Sequence, residues 1–262
     1  MRLLAALTEA DGRATGPAAW SEWKAELVHA LIVRVARRLG TEMPDAATAE
    51  AFPSSAELAR LEQGEQHLAV EGDELTVMTS DRPGVFSRVA GVLALKGLDV
   101  LHAVAYSSDT GRALARFRVA DPIRDETPWD RVLADLELAL DGRLALHARL
   151  ADRAAAHDRR RQGRLPARPA SVAFDNEASA DATVIDVEAP DVTGILYRIT
   201  RALAELDLDI RSAKVQTLGT HVVDAFYVRD RDGRKITDPR TLGEVERAIL
   251  HGIAEAELYS GS

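Results

Sequence analysis

The chain says one thing twice. Asp81-Arg-Pro-Gly-Val-Phe-Ser-Arg-Val-Ala-Gly-Val-Leu-Ala-Leu-Lys-Gly-Leu-Asp-Val100 recurs 110 residues later as the stretch Asp191 to Ile210, without a gap. Asp81, Gly84, Arg88, Leu93, Ala94, Leu98, Asp99 and Ala103 return as Asp191, Gly194, Arg198, Leu203, Ala204, Leu208, Asp209 and Ala213. Val85/Ile195, Phe86/Leu196, Val89/Ile199 and Val100/Ile210 keep the apolar face. This period is far too long for a solenoid unit, so the chain contains two copies of one small domain.

Periodicity gives the order of elements in each copy. Leu75–Thr79 and Val184–Glu188 alternate as strands with one buried face. Asp-x-x-Gly then marks a turn, with Pro83 fixing φ ahead of a helix in copy one. Val85, Val89, Val92 and Leu93, like Ile195, Ile199, Ala202, Leu203 and Leu206, follow the helical period, and Gly97 is a natural stop. A hairpin follows: Leu98–Tyr106 with Ala113–Val119, and Leu208–Gln216 with Val222–Val228. A second amphipathic helix carries Trp129, Val132, Leu133, Leu136 and Leu140, or Leu242, Val245 and Ile249. A closing strand is expected near Ala145–Leu150 and Ala254–Tyr259. The class is α+β, two ferredoxin-like βαββαβ units with helices on one sheet face. Covering of sheet edges predicts that the copies pack on each other.

The turn Asp81-Arg-Pro-Gly-Val-Phe86, with Leu98-Asp-Val100 opening the second strand, resembles an ACT domain. Copy two resembles one as well, although Asp191-Val-Thr-Gly194 lacks the Arg-Pro pair. Asp175-Asn-Glu-Ala-Ser179, Asp209-Ile-Arg-Ser-Ala-Lys214 and Thr217-Leu-Gly219 are similar to the C-terminal half of bifunctional uridylyltransferase/uridylyl-removing enzymes, which modify the PII nitrogen-signalling protein. The resemblance divides the chain into residues 1–43, similar to the end of an HD phosphohydrolase domain; a connector, 44–72; ACT domain 1, 73–150; an Arg/Pro-rich linker, 151–182; and ACT domain 2, 183–262. Its Trp20 and Trp23 lie on one helical face. The resemblance implies that the chain begins inside that HD domain, with the catalytic domains and their Mg or Mn outside this sequence. It also implies a regulatory role, control of uridylyl transfer and removal, and pairing of ACT domains, including a homodimer. A stand-alone ACT-repeat regulatory protein is the alternative, and adenylyl transfer in the parent enzyme stays open.

The remaining sequence narrows the chemistry. With 46% hydrophobic residues the 262-residue chain can fill two cores, and its net charge of −9 argues against general nucleic-acid binding. No cysteine is present, so thiolate ligands and nucleophiles do not arise. No signal peptide or apolar run of membrane length is found, which points to a cytoplasmic chain. His157-Asp158 sits in the arginine-rich linker without partner ligands, and His29 has no carboxylate in ligand register. Nucleotidyltransferase, phosphate-loop and nucleophile-elbow motifs are absent. No catalytic residue and no cofactor or metal is therefore assigned to this chain.

What remains is binding. A turn that opens a helix presents backbone N–H groups and the positive end of the helix dipole, suited to an α-carboxylate. The Asp beside it can accept from an α-ammonium, although an Asp before a helix also serves as an ordinary N-cap. The candidate amino-acid ligands are Asp81, Arg82, Pro83, Gly84 and Val85 with Asp99 in copy one. In copy two they are Asp191, Thr193, Gly194, Ile195 and Leu196 with Asp209. By resemblance the amino acid is glutamine.

Overall fold

Each copy is built outward from its shared turn. The computed structural model describes residues 52–123, 126–158, 169–215, 217–218 and 221–260. The expectations for residues 1–43, with Trp20, Trp23 and His29, lie outside them. Copy one runs α1 (Ser55–Glu62), β1 (His67–Glu71), β2 (Glu74–Ser80), α2 (Val85–Lys96), β3 (Asp99–Ser107), β4 (Arg112–Ala120) and α3 (Trp129–Leu140). Helix α4 (Leu146–Asp158) leads out of it. Copy two runs β5 (Ser171–Asp175), β6 (Thr183–Pro190), α5 (Ile195–Glu205), β7 (Asp209–Lys214), β8 (Thr217–Leu218), β9 (His221–Arg229) and α6 (Pro239–Ser260).

The strands form one antiparallel sheet in the order β1-β2-β4-β3-β7-β9-β6-β5, with β8 on β9. The two copies therefore share a sheet, joined where β3 meets β7. Both of those strands carry a bulge at the same place in the repeat, between Val100 and His102 and between Ile210 and Ser212. Helices α2, α3, α5 and α6 cover one sheet face. Alternate residues Ala115, Phe117 and Val119 of β4 and Val222, Phe226 and Val228 of β9 join them in a continuous core. Phe86 of α2 stacks on Phe117 with ring centroids 4.8 Å apart. The other face of copy one is covered by α1. Its capping box, Ser54 with Glu57, fixes the helix start, Glu57 pairs with Arg116 of β4, and Leu61 is 2% exposed.

The α+β class and the antiparallel sheet with helices on one face of each copy agree with the sequence reading; the closing strand of each copy does not. The stretches near Ala145–Leu150 and Ala254–Tyr259, read as closing strands, are helical. The first is rich in Ala and Leu and the second in Ala and Glu, strong helix formers, and neither has a β-branched residue to favour a strand. The outer strand of each copy comes instead from ahead of the repeat. His67–Glu71, in the stretch read as a connector, pairs with β2, and Ser171–Asp175, in the stretch read as a linker, pairs with β6. Among the described residues no helix is long and apolar enough to cross a membrane.

Asp175–Ser179 has a clear structural part. Asn176 Nδ2 donates to the Ile236 carbonyl at 2.9 Å, and Asn176 Oδ1 accepts from Thr183 at 2.7 Å. Lys235 Nζ donates to the carbonyls of Asn176 and Ser179. The segment thereby pins the loop between β9 and α6.

Candidate functional site

The two turns share one backbone geometry. The residue preceding each helix is the glycine, with φ +86° at Gly84 and +78° at Gly194, and neither helix start has a side-chain cap. Positive φ explains why glycine stands there twice. It also decides the role of the aspartates: Asp81 and Asp191 are not N-caps. Val85 N donates to Arg82 O at 3.2 Å and Ile195 N to Val192 O at 3.1 Å, closing each turn. The other N–H groups of the first helical turn have no intrahelical acceptor and point out of the helix end.

The β3–β7 seam decides what faces each turn. Asp81, Arg82, Pro83, Gly84 and Val85 line a cleft of about 720 Å³ together with Asp209, from the start of the second strand of copy two. Asp99 does not belong to this group. Its carboxyl is raised above the usual carboxylate range, first by desolvation and then by the charges of Asp191 and Asp121. Asp99 thus lies within electrostatic reach of the other copy's turn. Sequence reasoning grouped Asp81 with Asp99 and Asp191 with Asp209; the fold exchanges the partners, because each site forms across the seam between copies.

The cleft brings further residues that sequence reasoning missed. Arg211, Tyr106, Asp207 and Asp230 line it. Arg211 donates to Asp209 at 3.2 Å and lies over the Tyr106 ring, 5.4 Å from its centroid. Its guanidinium is held at the cleft wall by these two contacts. Asp207 has φ +54°, at the position where copy one has Gly97 with φ +78°. Asp207 thus closes α5 with the same left-handed turn that Gly97 makes at the end of α2, a conformation Asp adopts more readily than most non-glycine residues. Carboxylates and arginines with free helix-end N–H groups on one wall are complementary to a zwitterion, and the volume admits a free amino acid.

The other turn is enclosed. Gly194, Ile195 and Leu196 are buried, while Asp191 and Thr193 are half-buried. Leu150 of α4, itself 2% exposed, lies over Gly194. Asp224 of β9, fully buried on the core face, pairs with Val187 where Ala115 pairs with Val77 in copy one. A charged residue in the apolar phase of His221–Arg229 was its sequence signal. Among the described residues no group of three or more His, Asp or Glu is arranged to hold a metal ion.

Two side-by-side α+β units of one design, with paired glycine turns at the seam, make the chain a tandem repeat whose second unit carries the family match. Residues 178–255 match the family described as the ACR family N-terminal ACT domain. The chain is 36% identical to the bifunctional uridylyltransferase/uridylyl-removing enzyme of Streptomyces coelicolor, covering 98% of this chain and 36% of that one. The enzymes of the same name from Gluconobacter oxydans and Azospirillum brasilense are 32% and 33% identical, over 98% and 97% of this chain. The chain is thus a homologue of these enzymes and spans about a third of their length. A solved putative glycine cleavage system transcriptional repressor is 14% identical with a TM-score of 0.24, covering 72% of this chain and 92% of that one.

Proposed function

We propose that this chain is the amino-acid-sensing, regulatory part of a PII-protein uridylyltransferase/uridylyl-removing enzyme and that its ligand is glutamine. The carrying observation is the cleft at the seam. There the uncapped helix start behind Gly84 stands beside Asp81 and across from Asp209 and Arg211. The α-carboxylate of the ligand faces the helix-end N–H groups, and its α-ammonium faces the aspartates. Similarity over nearly the whole chain to uridylyltransferase/uridylyl-removing enzymes supports the link to such an enzyme; glutamine as ligand and PII as ultimate partner are part of the proposal. The reading places the chain in the C-terminal, regulatory region of the enzyme, acting in the cytoplasm. Catalysis then belongs to other domains, whose Mg or Mn has no part here.

The site tells such an enzyme about ligand occupancy through both copies at once, since the cleft has walls from each. Closing it on a ligand draws the Asp81 turn and the Asp209 strand end together, a differential contact of the kind that can bias a conformational equilibrium. Calorimetric titration with L-glutamine is the test. Asp81→Ala removes no cap, so its thermal midpoint stays at the wild-type value. Loss of a charge-assisted bond to the ammonium lowers affinity on the order of 10- to 100-fold. Absence of glutamine binding to the wild-type chain would refute the ligand; unchanged affinity in Asp81→Ala would refute the site.

A further inference from the structure

The two turns are equivalent in backbone yet differ in what covers them. A Cβ built on Gly84 would meet only Ser87 Oγ of its own helix, at 3.4 Å; one built on Gly194 would meet Leu150 of α4, at 3.5 Å. The seat of α4 is written into the repeat. A Cβ at Gly91 of α2 would lie 2.6 Å from Leu146 Cδ2 and 2.7 Å from Tyr197 Cδ2. One at Gly97 would lie 2.5 Å from the Arg153 guanidinium. In copy two the matching positions are Arg201 and Asp207, which leave no such groove. Copy one therefore has glycine at both places where α4 crosses it. Leu146 and Leu150 are buried members of the common core, and Ala154 is 3% exposed.

We infer that the module holds a single free amino-acid site, at the Asp81–Val85 turn, and that α4 is a built-in occupant of the second. Leu150 rests on the Gly194 backbone, where a ligand of that turn would have to approach. The inference rests on the amino-acid-binding reading for its stoichiometry, while the closure by α4 can be tested without any ligand.

The experiment has two arms on the full chain. In hydrogen exchange of the ligand-free protein, the amides of Leu196 and Tyr197 should exchange on the order of tenfold more slowly than those of Phe86 and Ser87. Equal exchange at the two turns overturns the closure by α4, whatever glutamine does. In calorimetry with L-glutamine, one equivalent per chain is expected; two equivalents overturn the inference and leave the sensing reading intact. No binding, with the exchange asymmetry present, sinks the sensing reading and its stoichiometry but leaves the closure standing. Leu150→Ala should gain a second, weaker equivalent, and Leu150→Met, which keeps the side-chain volume, should not. A folded Leu150→Ala chain that still binds one equivalent overturns the inference. If that variant does not fold, as circular dichroism reports, wild-type stoichiometry and exchange decide.

Discussion

Ala103 and Ala213 face each other across the β3–β7 seam, and they are the same residue of the repeat, 110 positions apart. Their neighbours pair crosswise, His102 with Lys214 and Val104 with Ser212, so a pseudo-two-fold axis passes between the alanines. The relation is that of an isologous dimer interface contained in one chain. It removes two strand edges and places each glycine turn against the other copy's second strand.

Both alanines are fully buried, which makes the seam sensitive to charge. Ala213→Asp would bury a carboxylate with no partner built for it, at a cost of roughly 3 kcal/mol or more. Because the sheet and core run through both copies, loss at the seam should lower the thermal midpoint of the whole unit. Chemical denaturation followed by fluorescence and circular dichroism should show coincident transitions. A variant in which one copy melts and the other keeps its wild-type midpoint would contradict the shared core.

How much of this was legible is clear from particular residues. The repeat from Asp81 to Ala103 exposed the strand, turn and helix of both copies because its apolar positions hold the helical period. It could not reveal which aspartate meets which turn, since that depends on Ala103 finding Ala213 rather than on spacing within a copy. The return strands match at an offset of 109, as Phe117 with Phe226 and Val119 with Val228 show by their pairing with Leu75 and Ile185, and with Val100 and Ile210. The matching of Ala113–Val119 with Val222–Val228 already carries that offset and sets Ala115, not Leu114, against Asp224. The outer strands lay ahead of the repeated stretch, where a short alternating run such as His67–Glu71 has no second copy at the same spacing to support it.

Gly91 sets helix propensity against packing. In an exposed helix Gly→Ala gains about 1 kcal/mol. At this position the new Cβ meets Leu146 and Tyr197 below 3 Å, so α4 or the Tyr197 ring must move. Overpacking of this kind costs about 1–3 kcal/mol, and the net effect of Gly91→Ala is destabilisation. A raised urea midpoint for this variant would show that α4 does not seat on α2 as described.

His147 makes the α4 contact depend on pH. Its Nδ1 lies 3.0 Å from Arg201 Nη1, and the ring packs 6.2 Å from that of Tyr197. Desolvation, then the charges of Arg201 and Arg198, lower its pKa below the ordinary value of 6.5, with Glu255 and Glu205 opposing. The unfolded chain thus binds this proton more readily than the folded one. The contribution is complete above about pH 6.5 and is lost as pH falls from there through the folded pKa. Thermal midpoints of wild type and His147→Gln should draw together on acidification below pH 6.5. Parallel curves between pH 7 and 5 would remove His147 from the account.

Asp99 predicts a substitution that helps. Its carboxyl pKa is raised, so the folded chain holds this proton more tightly than the unfolded one. Stability from this group is present below the unfolded pKa and lost as pH rises through the folded value. At neutral pH Asp99 is therefore ionised at a cost, set by desolvation and by Asp191 and Asp121. Asp99→Asn keeps the shape and removes the charge. Its thermal midpoint should exceed that of wild type at pH 7, and the difference should shrink as pH falls into the carboxylate range. The variant leaves the cleft lined by Asp81 and Asp209 untouched, so glutamine affinity should not change. Lower stability at pH 7 would mean that the Asp99 carboxylate has a stabilising partner, and a loss of glutamine binding would move the ligand to the Asp191 turn.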